Sequence, residues 1–164
     1  MKTLAQQMAV YNAYHRDPKN KATHFVGVPL IILALLIPLA WPRIQIGGVT
    51  ITAAMIFVAV VSAYYLVLDV TLGALTALAV LPLLWAGHLI AAQGTATGWF
   101  AFALAFAVGW IFQLVGHAFE GRRPALVDNF FQIFVAPVFL VAEVLFACGA
   151  RTALRHEVEA LTAR

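Results

Sequence analysis

Charged residues are scarce in this sequence, and their scarcity decides its class. Only 10% of the 164 residues are charged, 63% are hydrophobic, and the mean hydropathy is +0.93. A soluble domain usually has about a quarter of its residues charged. So few charges do not suffice to cover a water-facing surface. The composition therefore excludes a soluble globular protein and indicates an integral membrane protein with a single domain.

The sequence also has almost no cysteine and no internal repeat. Cys148 is the only cysteine, which excludes an intrachain disulfide and a Cys-x-x-Cys metal motif. No repeat is visible, which argues against the duplicated halves of many transporters. The net charge of +3 does not indicate a nucleic-acid partner. The basic residues flank apolar runs, where they orient membrane helices and meet the headgroups of the lipid bilayer.

What the sequence has in abundance is long apolar runs. Five are recognisable, at residues 25–41, 49–68, 70–92, 99–119 and 130–147. A membrane-spanning helix needs about 20 apolar residues, so we predict that the first four runs cross the bilayer. The fifth run contains Glu143, and a carboxylate inside the hydrocarbon core is costly. We therefore expect the fifth run to be half-buried, as a re-entrant segment.

The distribution of basic residues supports this arrangement. If four runs cross and the fifth returns to its own side, nine of the ten Lys and Arg residues share one face, and Arg43 alone lies opposite. That bias is typical of a cytoplasmic face. If the fifth run also crosses, the split is six to four. The prediction is an all-α bundle of four transmembrane helices, a fifth hydrophobic helix, and short amphipathic helices at residues 3–14 and 151–164.

Two polar stretches stand out against this apolar background. Residues 116–129 hold a histidine, two carboxylates, two arginines and an asparagine, and residues 15–24 hold two more histidines. In the predicted topology both stretches lie at the cytoplasmic ends of their helices, where folding brings them together. His117 and Glu120 are three residues apart and share one helical face.

These residue types suit a metal. Two histidines with a carboxylate are the ligands of many non-haem Fe(II) oxygenases, and three or four histidines suit Zn(II) or Fe(II). We predict His15, His24 and His117 as metal ligands, with Glu120 as a further candidate. The alternative is that each histidine is only an interfacial anchor. His88 lies near the far end of its span, on the order of 27 Å from the start of that span at 1.5 Å per residue. It is therefore far from the other histidines, and we do not expect it to be a ligand.

The remaining polar residues of the 116–129 stretch are candidates for catalysis and substrate binding. Glu120, Arg122, Arg123 and Asp128 are the catalytic candidates. Arg122, Arg123 and Asn129 are the candidates for binding an anionic head, because the guanidinium fork suits a carboxylate. For the two arginines, the preference of basic residues for the cytoplasmic side is an alternative explanation. Asn20 and Gln132 are candidates for orienting a ligand histidine.

Three stretches of this sequence resemble the yeast-type 2-hydroxy fatty acid dioxygenases, a family of small multi-span membrane proteins. The first is Tyr14-His15-Arg16-Asp17-Pro18-Lys19-Asn20 with His24 and Val28-Pro29. The second runs from Gly109 to His117 and on through Phe119-Glu120 to Arg122-Arg123-Pro124-Ala125-Leu126. The third is Asp128-Asn129 with Gln132 and Ala136-Pro137. The region from about residue 44 to residue 98 is similar only in hydrophobicity.

The resemblance implies a dioxygenase of fatty acid α-oxidation that depends on Fe(2+), written Fe(II) below. Such an enzyme shortens a 2-hydroxy fatty acid by one carbon with O2 and without a nucleotide. Carried over by position, the family's histidines are His15, His24 and His117. The resemblance also implies an endoplasmic reticulum protein if the source is eukaryotic. The Ala-rich, Lys-poor composition favours a bacterial inner membrane. The sequence gives no oligomeric state.

Two alternatives remain open from the residues. One is another lipid-active membrane metalloenzyme that uses zinc or iron. A desaturase-type di-iron enzyme is disfavoured, since it needs more histidines, in clustered motifs, than the five present. The other is a small non-enzymatic transporter or scaffold. Metal analysis separates the first alternative from the dioxygenase, and flux without turnover identifies a transporter.

Overall fold

The computed structural model describes residues 2–121 and 130–163, and most of them are helical. The α-helices of these residues are α1 (Leu4–Asn12), α2 (Pro18–Leu39), α3 (Ala53–Leu68), α4 (Val70–Ala92), α5 (Thr95–Glu120), α6 (Ala136–Ala147) and α7 (Thr152–Thr162). A hairpin of β1 (Arg43–Ile46) and β2 (Val49–Thr52) joins α2 to α3, and a 3-10 helix (Phe130–Phe134) precedes α6. The predicted helical class is confirmed, with one hairpin added.

Three helices of the described part are long and apolar enough to cross a membrane, namely α2, α4 and α5. Helices α6 and α7 add a fourth candidate only if they count as one span bent by 119°. Helix α3 is apolar but has 16 residues. That is about 24 Å at 1.5 Å per residue, short of a hydrocarbon core of about 30 Å. The chain has the helices of a multi-span membrane protein, but the predicted count of four spans is not confirmed.

The run at residues 49–68 differs from its prediction at its start. Its first four residues form β2, which pairs with β1 in antiparallel register. Gly47 and Gly48 join the strands with φ of 56° and 83°, the positive values that a two-residue hairpin turn requires. The β-branched residues on both sides favour strands. The helix begins only after Thr52, whose hydroxyl accepts a hydrogen bond from the Met55 N–H at 3.2 Å.

Helices α2 and α5 lie antiparallel and unusually close. A Cβ atom at Gly27 would lie 2.8 Å from the Gly109 carbonyl oxygen, and one at Gly116 would lie 2.2 Å from Thr23 Oγ1 and 2.5 Å from Asn20 Oδ1. Small residues let helix backbones approach in this way. The close approach brings the second turn of α2 beside the last turn of α5, which is where His24 and His117 lie.

Helices α1, α6 and α7 pack together over this same end of the bundle, and we call these three helices the cap. Buried residues of all three form one apolar cluster, including Met8, Phe139 and Val158. Two ion pairs fasten the cap to the bundle, Lys21 Nζ to Glu143 Oε1 at 2.9 Å and Arg151 to Asp69. The partner of Glu143 is thus a lysine from the start of α2. The fifth apolar run places its helix against α1 and the first turns of α2.

Candidate metal centre

Three histidines from separate parts of the chain converge beneath the cap. His15 lies between α1 and α2, His24 in the second turn of α2, and His117 in the last turn of α5. Their side chains are 1%, 2% and 5% exposed. One nitrogen from each ring lies within 4.8 Å of the other two. Among the described residues, this is the one group of three His, Cys, Asp or Glu side chains arranged to hold a metal ion.

The hydrogen bonds of His15 and His24 fix which nitrogen of each ring is free. His15 Nδ1 lies 2.7 Å from the Tyr11 carbonyl oxygen, and His24 Nδ1 lies 2.9 Å from the Asn20 carbonyl oxygen. A carbonyl only accepts, so both Nδ1 atoms carry the hydrogen and both Nε2 atoms hold a lone pair. The two Nε2 atoms lie 3.0 Å apart. Two lone pairs at this distance repel one another unless a cation lies between them.

A metal ion fits this arrangement better than a proton does. Burial, and then the neighbouring His24, lower the pKa of His15 to about 3, so a shared proton is disfavoured at neutral pH. Metal–nitrogen distances of about 2.0–2.1 Å place adjacent ligands of one ion about 3 Å apart. His117 Nδ1 is buried without a hydrogen-bond partner in the described part of the chain. It is therefore available as a ligand or as a contact for a bound molecule.

Glu120 accepts hydrogen bonds from the segment at the start of α2, next to the histidines. Its Oε1 accepts a hydrogen bond from the Arg16 N–H at 2.9 Å, and its Oε2 accepts from the Asp17 N–H at 2.8 Å and from Asn20 Nδ2 at 3.1 Å. Asn20 in turn offers its carbonyl to His24. The carboxylate therefore joins the end of α5 to the start of α2. Glu120 is outside the group of three potential ligands, and the predicted catalytic role of Glu120 stays a prediction.

Tyr11 packs against His15 and does not lie at a membrane interface, where tyrosine is often found. The structure buries it and stacks its ring on His15, with centroids 3.9 Å apart and planes 4° from parallel. Phe139 of α6 lies against the same ring at 4.7 Å. Burial raises the pKa of the Tyr11 phenol, which keeps it neutral. The four-residue spacing between Tyr11 and His15 is the only sequence signal that could have paired them.

A cavity of about 310 Å³ begins at the three histidines and extends along α2 into the bundle. Its walls are mostly aliphatic and aromatic, and its deep end is lined by Leu36, Val58 and Val80. Twelve residues of α2 separate His24 from Leu36, which corresponds to about 18 Å of helix. The volume lies within the range of small-molecule sites. The shape suits a molecule with a polar head and a long apolar chain.

The other predicted site residues fall in two groups. His88 is remote from the cluster, with Nε2 2.9 Å from Thr52 Oγ1 and Nδ1 2.8 Å from the Leu84 carbonyl oxygen. Among the described residues, His88 is outside the group of three potential ligands, and the expectation that it binds no metal stays a prediction. Four further predicted residues lie outside the described residues, namely Arg122, Arg123, Asp128 and Asn129.

Comparison with known proteins gives a consistent result. A family model described as 2-hydroxy-palmitic acid dioxygenase Mpo1-like matches residues 1–148. The 2-hydroxy-palmitic acid dioxygenase MPO1 of Saccharomyces cerevisiae is 37% identical over 163 residues, which cover 95% of this chain and 90% of the yeast protein. No solved structure gives a significant match.

Proposed function

The chain belongs to the Mpo1-like family of 2-hydroxy-palmitic acid dioxygenases, and from this premise we propose that it is an Fe(II)-dependent enzyme that shortens a 2-hydroxy fatty acid by one carbon. The observation that carries the proposal is the juxtaposition of three buried histidines with an acyl-sized apolar cavity. The overall change balances with one O2 per acid, giving the shorter acid, CO2 and water. No nucleotide or other reductant is needed.

His15, His24 and His117 would hold the metal, through Nε2 in the two histidines whose tautomer is fixed. A bound Fe(II) would supply the redox chemistry of the reaction with O2 and would attract the carboxylate of the substrate. The protein contributes position and exclusion of water. Tyr11 holds the ring plane of His15, and the backbone carbonyls of Tyr11 and Asn20 hold the two Nδ1 hydrogens. Such outer partners orient ligand histidines in metal sites.

The apolar cavity would receive the acyl chain, with the carboxylate end at the histidines. Burial of each methylene group contributes about 0.8 kcal/mol, so a long chain binds by its tail and is positioned by its head. We expect Arg122 and Arg123 to neutralise the carboxylate, with Asn129 as a further contact, and Asp128 to act with them. These roles follow from the sequence pattern.

We place the site at the cytoplasmic face of the membrane. The described basic residues at the cap end are Lys2, Arg16, Lys19, Lys21, Arg151 and Arg155, whereas Arg43 lies in the hairpin at the far end. Cytoplasmic segments carry such an excess of Lys and Arg. The membrane would be the inner membrane in a bacterium and the endoplasmic reticulum in a eukaryote.

Anaerobic purification followed by metal analysis and assay tests the proposal. With 2-hydroxypalmitic acid as substrate, we expect a product one carbon shorter, formed only with Fe(II) and O2, and no product with the His117→Ala variant. Three histidines also suit Zn(II). Co-purified zinc together with hydrolysis of a lipid ester, and no oxygen consumption, would replace the dioxygenase by a zinc hydrolase.

A further inference from the structure

Unsatisfied polar atoms are concentrated in the wall of the apolar cavity. Five buried side-chain nitrogen or oxygen atoms of the described residues have no hydrogen-bond partner. Four of these belong to residues that line this cavity, namely Trp110 Nε1, Gln113 Nε2, His117 Nδ1 and Gln132 Oε1. A buried polar group without a partner destabilises the folded protein. Their collection in one cavity indicates that a bound molecule supplies the missing partners.

Gln113 and Gln132 are the two amides among these groups, and both are more than nine-tenths buried, with 8% and 5% exposure. Gln113 precedes His117 by four residues, so it lies on the same face of α5 and about 6 Å further into the bundle. It fits there because Gly27 faces it. A Cβ at position 27 would lie 2.5 Å from Gln113 Nε2. Gln132 enters the same cavity from the 3-10 helix.

Two other polar groups of the cavity wall already have partners within the protein. The Tyr65 hydroxyl donates to the Phe134 carbonyl oxygen at 2.6 Å, and the Thr76 hydroxyl donates to the Leu72 carbonyl oxygen at 2.7 Å. A saturated acyl chain forms no hydrogen bonds with such groups. The two amides differ, because one offers a free N–H donor and the other a free C=O acceptor. Together they match a group that both accepts and donates a hydrogen bond.

An alcohol is such a group, since its oxygen accepts and its hydrogen is donated. We propose that Gln113 and Gln132 form a hydroxyl-recognition pair one helical turn below the histidines, which selects a 2-hydroxy acid over the same acid without the hydroxyl. This inference rests on the proposed function and adds the residues that determine its specificity. An unsubstituted acid would fill the cavity yet leave the acceptor of Gln132 without a partner. Sites built to bind a hydroxyl reject analogues that lack it for this reason.

Equilibrium binding to the full-length chain in lipid nanodiscs, without O2 so that nothing turns over, tests the pair. The measured quantity is the ratio of the Kd of palmitic acid to the Kd of 2-hydroxypalmitic acid. The variants are Gln113→Met and Gln132→Met, which keep side-chain length and remove the amide. The matched control is Gln93→Met, at an exposed position after α4.

We expect the ratio to fall about tenfold or more in each cavity variant, through weaker binding of the 2-hydroxy acid, with palmitic acid bound as tightly as before or more tightly. The control keeps the wild-type ratio, and all three variants keep the wild-type metal content. A ratio unchanged in both folded cavity variants would overturn the inference and leave the proposed function standing. A wild-type chain that binds neither acid would overturn both.

A measurement on the wild-type chain serves if the variants do not fold. 2-Methoxypalmitic acid keeps the ether oxygen as an acceptor but has no hydrogen to donate to Gln132. We expect it to lose most of the preference that the 2-hydroxy acid shows over palmitic acid. If the methoxy acid binds as tightly as the 2-hydroxy acid, the acceptor of Gln132 does not read the hydroxyl and the inference is wrong.

Discussion

The carboxylate of Glu120 accepts a hydrogen bond of 2.8 Å from the backbone N–H of Asp17, across 103 residues of sequence. Asp17 is also the N-cap of α2, with its own side chain accepting from the Lys19 N–H at 2.7 Å. The last turn of α5 is thereby joined to the first residues of α2. The relative position of His24 and His117 depends on this junction.

We predict that Glu120→Gln weakens metal binding without abolishing it. The amide keeps the shape but loses the negative charge that three donors share, and loss of an outer partner costs about 10–100-fold in metal affinity. Competition with a graded series of chelators measures the affinity. The control is Glu157→Gln in the exposed face of α7. A loss as complete as that of His24→Ala would instead identify Glu120 as a direct ligand.

We predict that Gly116→Ala destabilises the bundle and loosens the metal site. The added methyl group would lie 2.2 Å from Thr23 Oγ1 and 2.5 Å from Asn20 Oδ1, so α2 and α5 must separate, at a cost of about 1–3 kcal/mol. Thermal unfolding in detergent measures the stability, and chelator competition measures the site.

Gly87→Ala is the matched control for that substitution. Its methyl group would come no closer than 3.2 Å to the nearest atom, Leu36 Cβ, and alanine favours a helix over glycine by about 1 kcal/mol. We expect little change in stability and none in metal affinity. Equal effects of the two alanines would contradict the role assigned to the close approach at Gly116.

We predict that Tyr11 acts through its ring rather than through its hydroxyl. Tyr11→Phe keeps the stacking on His15 and should bind metal as the wild type does. Tyr11→Leu removes the stacking, worth about 0.5–1.5 kcal/mol for an aromatic pair, and should weaken metal binding by roughly three- to tenfold. Isothermal titration with the metal compares the pair. Equal losses in both variants would show that the hydroxyl is the important group.

We predict that Val80→Phe shifts the preferred substrate to shorter acids. Val80 lines the deep end of the cavity, and a larger side chain there takes the space of the last methylenes. Each methylene that no longer fits loses about 0.8 kcal/mol of binding, or about fourfold in affinity. Binding or turnover of a series of 2-hydroxy acids measures the shift. Leu78→Phe, on the exposed side of the same helix, should leave the series unchanged.

The sequence allowed much of the site to be predicted, because position along the chain nearly determines which ends of membrane helices lie together. The convergence of His15, His24 and His117 was expected from that placement and from the family resemblance, and His88 was expected to be remote because it lies near the other end of its helix. The hairpin was missed because β-branched residues such as Val49 and Ile51 count as membrane-compatible in any hydropathy sum. The turn at Gly47 and Gly48 diverts them from the helix.

The groups that line the cavity were harder to predict. Gln113 belongs to a stretch that resembles the family, but no sequence pattern shows where its side chain points. Its orientation depends on the packing of α2 against α5. The stacking of Tyr11 on His15 depends on the bend that places α1 under α6. The pairing of Glu143 with Lys21 depends on the packing of α6 at the start of α2. These are tertiary facts, to which local sequence contributes little.

The central claim is that three histidines hold one metal ion. The most direct measurement is the metal content of the anaerobically purified chain, with four variants, His15→Ala, His24→Ala, His117→Ala and His88→Ala. We predict about one ion per wild-type chain, bound by imidazole nitrogens at about 2.0–2.2 Å in X-ray absorption. The first three variants should lose it and His88→Ala should keep it. Full metal content in any of the first three variants, or none in the wild type, would contradict the account.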